Sequence, residues 1–330
     1  EVNEGMNPLR VGVVGVGHLG YHHARIYTEL LETKLVGIMD TDEERAASVG
    51  ETLQVPYYTD LEEFLKKAHP DALSIVVPTV AHYEVAKSVM EKNIHVLIEK
   101  PVTKTVDEAE ELLKIAAKRN LVLQVGHIER FNSAVQYVRG ICNPPLYIQT
   151  RRLGPFSPRI ADVGVVLDLM IHDIDIILSL VGSEIREISA YGRSVYTEHE
   201  DIASAHLTFA NGTISHILVS RVSEKRLRTL EIMEKERYIT LNYETQDVSI
   251  HRCIRDNGMG LMEVIEHPVF PKHEPLKMEL QHFISCVREG RQPMVGIADG
   301  KRALEVAVEV LRQIHKNKLA DFQGNIETLL

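Results

Sequence analysis

The 330-residue sequence has few cysteines, no excess of positive charge and no long run of uninterrupted apolar residues. Its three cysteines, Cys142, Cys253 and Cys286, are odd in number and irregularly spaced, so they indicate neither a disulfide framework nor a zinc motif. The formal net charge of −10 argues against a general nucleic-acid binder. We therefore expect a protein of the reducing cytoplasm that acts on small molecules.

Membrane and targeting segments are also not expected. The first ten residues, EVNEGMNPLR, contain no apolar core of the length that a signal peptide needs. The most apolar stretch, residues 163–181, carries four ionisable residues, and such groups are costly at the centre of a bilayer. We interpret this stretch as a buried helix and expect no membrane partner.

The hydrophobic pattern changes near residue 125 and predicts two domains. Before it, short β-branched runs alternate with amphipathic segments, which is typical of a doubly wound parallel α/β sheet. Thr105 and Glu108 form a capping-box pattern, and Asn120 stands where the last of these helices should end. The predicted strands are 9–14, 35–40, 72–77, 95–99 and 122–125, and the predicted helices are 19–31, 42–53, 82–92 and 106–119.

The second domain is predicted to be α+β with an open, largely antiparallel sheet. One helix near 168–181 precedes several strand-like runs, and Asn211-Gly212 is a strong hairpin signal. Two helical segments, 275–289 and 300–317, close the sequence. We place the domains at 1–125 and 126–330, with the alternative that the closing helices pack back on the first domain.

The segment VGVVGVGHLG, residues 11–20, sets Gly15, Gly17 and Gly20 between a predicted strand and helix. Such glycines allow a tight turn, close approach of a pyrophosphate and tight helix packing. Asp40 ends the next strand, where a carboxylate can accept hydrogen bonds from both ribose hydroxyls. The pattern predicts a dinucleotide site, the alternative being glycines that serve only the turn.

Asp40 also bears on cofactor choice. Its carboxylate would repel a 2′-phosphate, and no arginine follows it immediately. NAD is therefore favoured over NADP, although Arg45 lies close enough in sequence to keep NADP as an alternative.

A second motif, HVLIEKPVTKT at 95–105, is a buried strand that ends in Glu99-Lys100-Pro101. Doubly wound sheets bind ligands at the carboxyl ends of their strands, and Pro101 favours an extended Lys100. Lys100 can therefore hydrogen-bond a reacting hydroxyl. The alternative is a surface lysine at a strand end.

A third motif, LDLMIHDIDI at 167–176, carries four ionisable residues within apolar surroundings. On a regular helix Asp168, His172 and Asp175 share one face, whereas Asp173 lies about 100° away and is interpreted as structural. A metal site on Asp168 and His172 is an alternative. No third residue stands at a spacing typical of a metal ligand, so we expect no metal site.

These motifs together resemble the Gfo/Idh/MocA family of oxidoreductases, and the resemblance covers nearly the whole chain. The segments that carry it are GVGHLG at 15–20 with Asp40, VPTVAH at 77–82, EKP at 99–101, GHIERFN at 126–132, DLMIHDID at 168–175 and PLKMELQHFISCVREGRQPMVGIADGKRALEV at 275–306.

The resemblance implies a nicotinamide-dependent sugar or cyclitol oxidoreductase with a Rossmann domain, an open-sheet domain and assembly into homodimers or homotetramers. Lys100 and His172 match the family residues that flank the substrate carbon, and Asp168 matches the aspartate of the same helix. The cofactor residues implied are Gly15, Gly17, His18, Leu19, Gly20, Asp40, Pro78, Thr79, His82, Glu99 and Lys100.

Within the family, GHIERFN and the segment RRLGPFSPRIADVGVVLDLMIHDIDI are most similar to enzymes that oxidise the 3-hydroxyl of UDP-N-acetylglucosamine, a step towards 3-amino sugars of lipid A or surface polysaccharide. Arginines that grip a diphosphate would then be needed. The substrate residues implied are Lys100, Arg130, Asn132, Arg159, Asp168 and His172, with Arg151 and Arg152 as further candidates; the alternative for each arginine is a salt bridge.

In the chemistry that follows, His172 is the preferred base, because a neutral imidazole near pH 7 suits proton abstraction. Lys100 would orient the hydroxyl and stabilise negative charge on its oxygen. The reverse assignment stays open. Two other functions also remain, a dehydrogenase of a free sugar or inositol and a non-catalytic sensor or regulator that binds NAD.

Overall fold

A computed structural model describes residues 7–157, 163–256 and 260–323 of the chain. Strands and helices alternate up to Gly126 in the order β1 (Leu9–Val14), α1 (His18–Glu29), β2 (Thr33–Met39), α2 (Glu43–Leu53), β3 (Tyr57–Tyr58), α3 (Leu61–Ala68), β4 (Ala72–Ile75), α4 (Thr79–Glu91), β5 (His95–Glu99), α5 (Val106–Arg119) and β6 (Leu123–Gly126).

The remaining elements begin with a 3-10 turn at Ile128–Phe131. They continue with α6 (Ser133–Ile141), β7 (Tyr147–Leu153), a π-helical turn at Val166–Met170, α7 (Ile171–Val181), β8 (Ile185–Arg193), β9 (Ile202–Phe209), β10 (Ile214–Ser220), β11 (Leu227–Met233), β12 (Arg237–Asn242), β13 (Asp247–Asp256), β14 (Gly260–Glu266), α8 (Pro275–Glu289) and α9 (Ile297–Gln323).

The chain forms two compact units. The first comprises residues up to Phe131 together with Glu274–Lys301, and the second comprises Asn132–His273 with the residues from Arg302 onwards. The sequence predicted the domain boundary at residue 125, just before the 3-10 turn. This turn packs against α8 and belongs to the first unit. Helix α8 thus belongs to the first unit, whereas most of α9 belongs to the second.

The first unit has the doubly wound sheet that the sequence predicts. Its strands are parallel in the order β3-β2-β1-β4-β5-β6, and the strand order reverses between β1 and β4. Apolar residues of β1, β4 and β5 are almost fully buried, as expected for strands covered by helices on both faces. The carboxyl ends of β1, β4, β5 and β6 lie along one edge, where such sheets bind ligands.

The second unit contains an eight-stranded sheet in the order β14-β13-β12-β11-β7-β10-β9-β8. Only the β7 and β10 pair is parallel, so the predicted largely antiparallel sheet is confirmed. The predicted hairpin joins β9 to β10, with Gly212 at φ +90°. Ala203, Ala205 and Leu207 alternate along β9 into a core that α6, α7 and α9 share.

Local sequence signals account for the bounds of α5. The Thr105 hydroxyl accepts a hydrogen bond from the Glu108 N–H at 3.3 Å, and the Glu108 carboxylate accepts one from the Thr105 N–H at 3.1 Å. The helix ends at Asn120, which is left-handed with φ +52°. The predicted capping box and helix stop are both confirmed.

Five of these helices and strands were missing from the sequence prediction, namely α3, α6, β3, β7 and β14. Helix α3 has only eight residues, and the polar residues of β7 hide the period of a strand that lies at the centre of its sheet. The apolar segment 163–181 contains the π-helical turn and α7. In the described part of the chain, no helix is long and apolar enough to cross a membrane.

A buried ion pair braces the second unit between β9 and β10. Arg221 donates from Nε to Asp201 at 2.7 Å, and the backbone N–H groups of Val195, Tyr196 and Thr197 donate to the same carboxylate at 2.6–3.0 Å. Burial favours the neutral acid, but these donors together hold the pKa of Asp201 well below its usual range. The carboxylate is therefore an ionised, central part of this region.

Asp201→Asn is predicted to lower the free energy of unfolding by about 3–5 kcal/mol, because it removes the buried negative charge that pairs with Arg221. Urea unfolding at neutral pH measures this loss. Since the folded-state pKa of Asp201 is lowered, its stabilisation is complete above the ordinary aspartate pKa of about 3.9 and fades as the pH falls below it. The difference between variant and parent should therefore shrink only in acid.

Asp247→Asn is the matched control. Asp247 pairs with Lys272 at 2.5 Å, but both side chains are about half exposed, so its removal should change stability by less than about 1 kcal/mol. Equal effects of the two substitutions would contradict the central role of the Asp201 carboxylate.

Candidate active site

The turn between β1 and α1 approaches its surroundings more closely than side chains would allow. Gly15 has φ +84°, a left-handed conformation that favours glycine. A Cβ on Gly20 would lie 1.9 Å from the Gly15 carbonyl oxygen, so α1 is packed directly on the turn. A Cβ on Gly17 would meet no described atom within 4 Å. This space at the amino end of α1 fits the pyrophosphate of a dinucleotide.

Asp40 connects the glycine turn to the end of β2. Its nearly buried carboxylate accepts hydrogen bonds from the N–H groups of Val16 at 2.9 Å and Asp42 at 3.0 Å. Arg45 Nη1 lies 3.2 Å from both carboxylate oxygens. These contacts use the roughly four acceptor positions of the carboxylate, so a ribose hydroxyl would take the place of Arg45, whose side chain is about half exposed.

Four other predicted cofactor residues lie at the starts of two helices on the same sheet edge. His18 and Leu19 begin α1 and are exposed, and the His18 ring stands edge-on to His22 at 5.1 Å. Pro78 is the N-cap of α4 and Thr79 its first residue. All four therefore border the edge on which the glycine turn opens.

Lys100 follows β5 and is partly buried. The next peptide, Lys100–Pro101, is cis. The buried His82 ring lies between two backbone carbonyls, with Nδ1 2.8 Å from the oxygen of Pro101 and Nε2 2.9 Å from that of Val77. Burial outweighs these contacts and lowers the pKa of His82. His82 thus lies between the Val77 carbonyl and the backbone that follows Lys100, and as a neutral imidazole it donates a hydrogen bond to one of the two carbonyls.

A second buried carboxylate, Glu99, lies directly before Lys100. Glu99 Oε2 accepts the Lys100 backbone N–H at 3.2 Å, and Oε1 lies 3.3 Å from Nε2 of the fully buried His23 on α1. A Cβ on Gly126 would come within 2.7 Å of Oε1, so only glycine leaves room for this carboxylate. Glu279 of α8 is also fully buried, and burial followed by the charge of Glu99 raises its pKa well above the usual value.

The third motif divides between two kinds of helix. Asp168 lies in the π-helical turn and His172 in the first turn of α7, and both are partly exposed. Asp173 and Asp175 are buried. The prediction of one regular helix across this segment was wrong, because the π turn inserts extra length before Ile171. Such turns are frequent at functional sites.

Two arginines at the end of β7 make protein ion pairs. Arg152 donates to both oxygens of Asp173 at 3.1 and 3.0 Å, and its guanidinium lies over the Tyr243 ring at 4.9 Å. This buried pair fastens α7 to the sheet. Arg151, on the opposite face of the strand, donates to Glu231.

Two predicted substrate residues also serve internal contacts. The buried Arg130 lies 3.6 Å from Asp299. Asn132 caps α6, because its side-chain oxygen accepts the Ala134 N–H at 3.1 Å while its amide donates to the Tyr243 carbonyl at 2.9 Å. The role of both residues in substrate binding stays a prediction.

The sequence prediction overlooked a cleft in the second unit, beside Asp168, with a volume of about 120 Å³. Arg226 and Arg228 enter it from the segment SEKRLR, and each lies 3.8 Å from Glu244 at the outer limit of an ion pair. The basic residues of this segment were the sequence feature that could have indicated the cleft. Arg159, the remaining predicted substrate residue, lies outside the described residues. The charged side chains that line the cleft are Arg152, Asp168, Arg221, Arg226 and Arg228.

The chemistry available in the described ranges is that of acids, bases and anion-binding groups. Across residues 7–157, 163–256 and 260–323, no group of three or more His, Cys, Asp or Glu side chains could hold a metal ion. The glycine turn and Asp40 provide the shape and the acceptor that a dinucleotide needs. Lys100 and His172 provide groups that can exchange or hold a proton.

Comparison with known proteins gives a match to both units. Residues 9–127 match the family model described as an oxidoreductase family with an NAD-binding Rossmann fold, and residues 135–239 match the GFO/IDH/MocA C-terminal domain. UDP-N-acetylglucosamine 3-dehydrogenase from Acidithiobacillus ferrooxidans is 36% identical over 304 residues, which are 92% of this chain and 96% of that protein. The scyllo-inositol 2-dehydrogenase (NAD(+)) of Bacillus subtilis is 28% identical, with 91% and 92% covered.

Solved structures agree with these matches. The structure of the Acidithiobacillus ferrooxidans enzyme superposes with a TM-score of 0.87 at 35% identity and covers 94% of this chain and 98% of that one. Levoglucosan dehydrogenase in complex with NADH shares the fold, with a TM-score of 0.81 at 21% identity and the same coverage. The resemblance drawn from the motifs is confirmed. The chain belongs to the Gfo/Idh/MocA family of NAD-binding oxidoreductases.

Proposed function

We propose that the protein is an NAD-dependent dehydrogenase that oxidises the 3-hydroxyl of UDP-N-acetylglucosamine to a ketone. The observation that carries the proposal is the 36% identity to a UDP-N-acetylglucosamine 3-dehydrogenase along nearly the full length of both chains. Inositol dehydrogenases are also similar over the full length, at 24–28% identity, so an inositol is the second candidate substrate.

The arginine cleft favours the nucleotide sugar over an inositol. A diphosphate is a dianion with oxygens that guanidinium groups contact in pairs, whereas an inositol carries only hydroxyls. Arg226 is exposed and Arg228 is partly exposed, and their shared contact with Glu244 is long enough for the side chains to turn towards a phosphate. We assign the cleft to the diphosphate in place of Arg130 and Asn132.

In the proposed reaction, bound NAD would supply the acceptor for the hydride that leaves the carbon bearing the hydroxyl. His172 accepts the hydroxyl proton, and Asp168 keeps the imidazole in position. Lys100 donates a hydrogen bond to the same oxygen and stabilises its developing negative charge. Glu99 and His82 hold the backbone on either side of Lys100, so its side chain starts from a fixed point.

The function is tested by following formation of the reduced cofactor with NAD and UDP-N-acetylglucosamine. A coupled aminotransferase with an amino donor should be present, because it removes the ketone and draws the reaction forward. The comparison panel contains N-acetylglucosamine, glucose, myo-inositol and scyllo-inositol. Turnover of an inositol alone would support the second candidate, and no turnover despite NAD binding would favour a non-catalytic regulator.

Lys100→Ala and His172→Ala are each predicted to reduce kcat by about 100- to 10,000-fold, the usual contribution of a positioned acid or base. NAD affinity should stay within about threefold, because the glycine turn and Asp40 are untouched. Stopped-flow turnover and NAD titration measure the two quantities separately. If either variant lost NAD binding to the same extent as turnover, the catalytic assignment would be wrong.

Asp40→Ser is predicted to move cofactor preference towards NADP by about 10- to 100-fold in kcat/KM. The substitution removes the carboxylate that repels a 2′-phosphate and leaves Arg45 able to contact that group. Steady-state kinetics with both cofactors measure the ratio. In Asp40→Ser/Arg45→Gln the gain for NADP should disappear, and its persistence would show that Arg45 is not the phosphate contact.

Arg226→Gln is predicted to raise KM for UDP-N-acetylglucosamine and Ki for UDP by about 10- to 100-fold, since a hydrogen bond to a charged group contributes about 1.5–3 kcal/mol. Lys225→Gln is the matched control, because Lys225 is exposed next to Arg226 but does not line the cleft. Equal changes in both variants would indicate a general charge effect and not a diphosphate site.

A further inference from the structure

The surroundings of the Glu279 carboxyl group do not stabilise a negative charge. It is fully buried on α8, and neither of its side-chain oxygens has a hydrogen-bond partner among the described residues. The amide of Gln124 on β6 donates to the Glu279 backbone carbonyl at 3.1 Å and not to the carboxylate. An ionised carboxylate left in such a place is very costly, so Glu279 holds a proton in the free protein.

The charged and titratable groups around Glu279 come from three neighbouring elements. Glu99 at the end of β5 faces it and makes its ionisation harder, and Tyr27 of α1 faces it with a hydroxyl bound to Ser74 at 2.8 Å. The 3-10 turn that packs on α8 carries the buried Arg130, which pairs with Asp299. Glu99 and Glu279 are therefore two neighbouring buried carboxyl groups.

Glu99 is better compensated than Glu279. It accepts the Lys100 N–H, lies beside His23 and occupies the space that Gly126 leaves. The proton accordingly belongs on Glu279, whose carboxyl oxygens have no hydrogen-bond partner among the described residues. Because like charges in a buried pair oppose each other, the second ionisation requires a new positive charge nearby.

The sheet topology indicates where such a charge arrives. A dinucleotide lies across the point where strand order reverses, here between β1 and β4. Asp40, in the β1–β2–β3 half, is the ribose acceptor of the adenosine end, so the nicotinamide end lies over the β4–β5–β6 half. Glu99 ends β5 in that half. The oxidised nicotinamide is a cation and the reduced ring is neutral.

We propose that the Glu99–Glu279 pair is a proton-releasing site that distinguishes the oxidised from the reduced cofactor. When NAD⁺ binds, the O–H bond of the Glu279 carboxyl breaks and its proton passes to solvent, leaving both carboxylates ionised beside the cation. When NADH binds, the proton stays on Glu279. The inference rests on the nicotinamide cofactor of the family and is independent of which sugar is the substrate.

Isothermal titration calorimetry of the intact protein with NAD⁺ and with NADH, in buffers of different ionisation enthalpy, tests this proposal without any sugar. The wild type should release about one proton per NAD⁺ near neutral pH and none per NADH, so affinity for NAD⁺ alone should rise with pH, by up to about tenfold per unit. Buffer-independent enthalpies for NAD⁺ would overturn the proposal.

Glu279→Gln keeps the shape of the neutral acid and should bind NAD⁺ without releasing a proton. Glu289→Gln, on the exposed part of the same helix where Glu289 pairs with Arg291, should release it as the wild type does. Release that persists in Glu279→Gln would assign the proton to another group, such as His23, and refute the role of Glu279.

An infrared measurement on the wild type keeps the test independent of how the variant folds. The carbonyl band of a buried carboxylic acid should disappear when NAD⁺ saturates the protein and remain when NADH does. A band that is unchanged by NAD⁺ would contradict the proposal even if the variant could not be prepared. Failure of the sugar assays would leave this result unaffected, because only the cofactor is added.

Discussion

The close contact between Gly15 and Gly20 sets the position of α1, and the chemistry of the first unit depends on that position. With any side chain at Gly20, the helix would have to move away from the turn. The helix presents its amino end to the space at Gly17, and one and two turns further on it carries His23 and Tyr27 into the interior. A single backbone contact therefore aligns the phosphate site with the buried groups that surround Glu99 and Glu279.

The second unit is held by buried charge pairs at the ends of its two parallel strands. Arg152 near the end of β7 pairs with Asp173, and Arg221, just after β10, pairs with Asp201. These pairs have little effect on which way the sheet folds, since apolar residues fill its core. They instead fix the positions of the segments that they join, because a buried pair tolerates little displacement before each charge loses its partner. The turn that carries Asp168 is thereby kept beside the arginine cleft.

The parts of the structure that the sequence predicted well are those set by local interactions. Strand β5 and helix α5 have the predicted bounds, since a β-branched run and a capping box act within a few residues. The missed features depend on distant partners. Strand β7 is polar because Arg152 meets Asp173 and Arg151 meets Glu231, and neither pairing can be inferred from spacing. Arg130 likewise pairs with Asp299, a partner that spacing along the sequence does not indicate.

Asp40 and Glu99 are both nearly buried carboxylates at strand ends, yet their surroundings suit them to different tasks. Two backbone N–H groups and the Arg45 guanidinium surround Asp40, so its charge is stabilised whether or not a ligand is bound. Glu99 has one such N–H, an imidazole and a second carboxyl group for neighbours. In our proposal, the charge of this cluster depends on the redox state of the bound cofactor. A fixed charge suits recognition of a ribose that is the same in both redox states. A responsive charge suits the end of the cofactor whose own charge changes during the reaction.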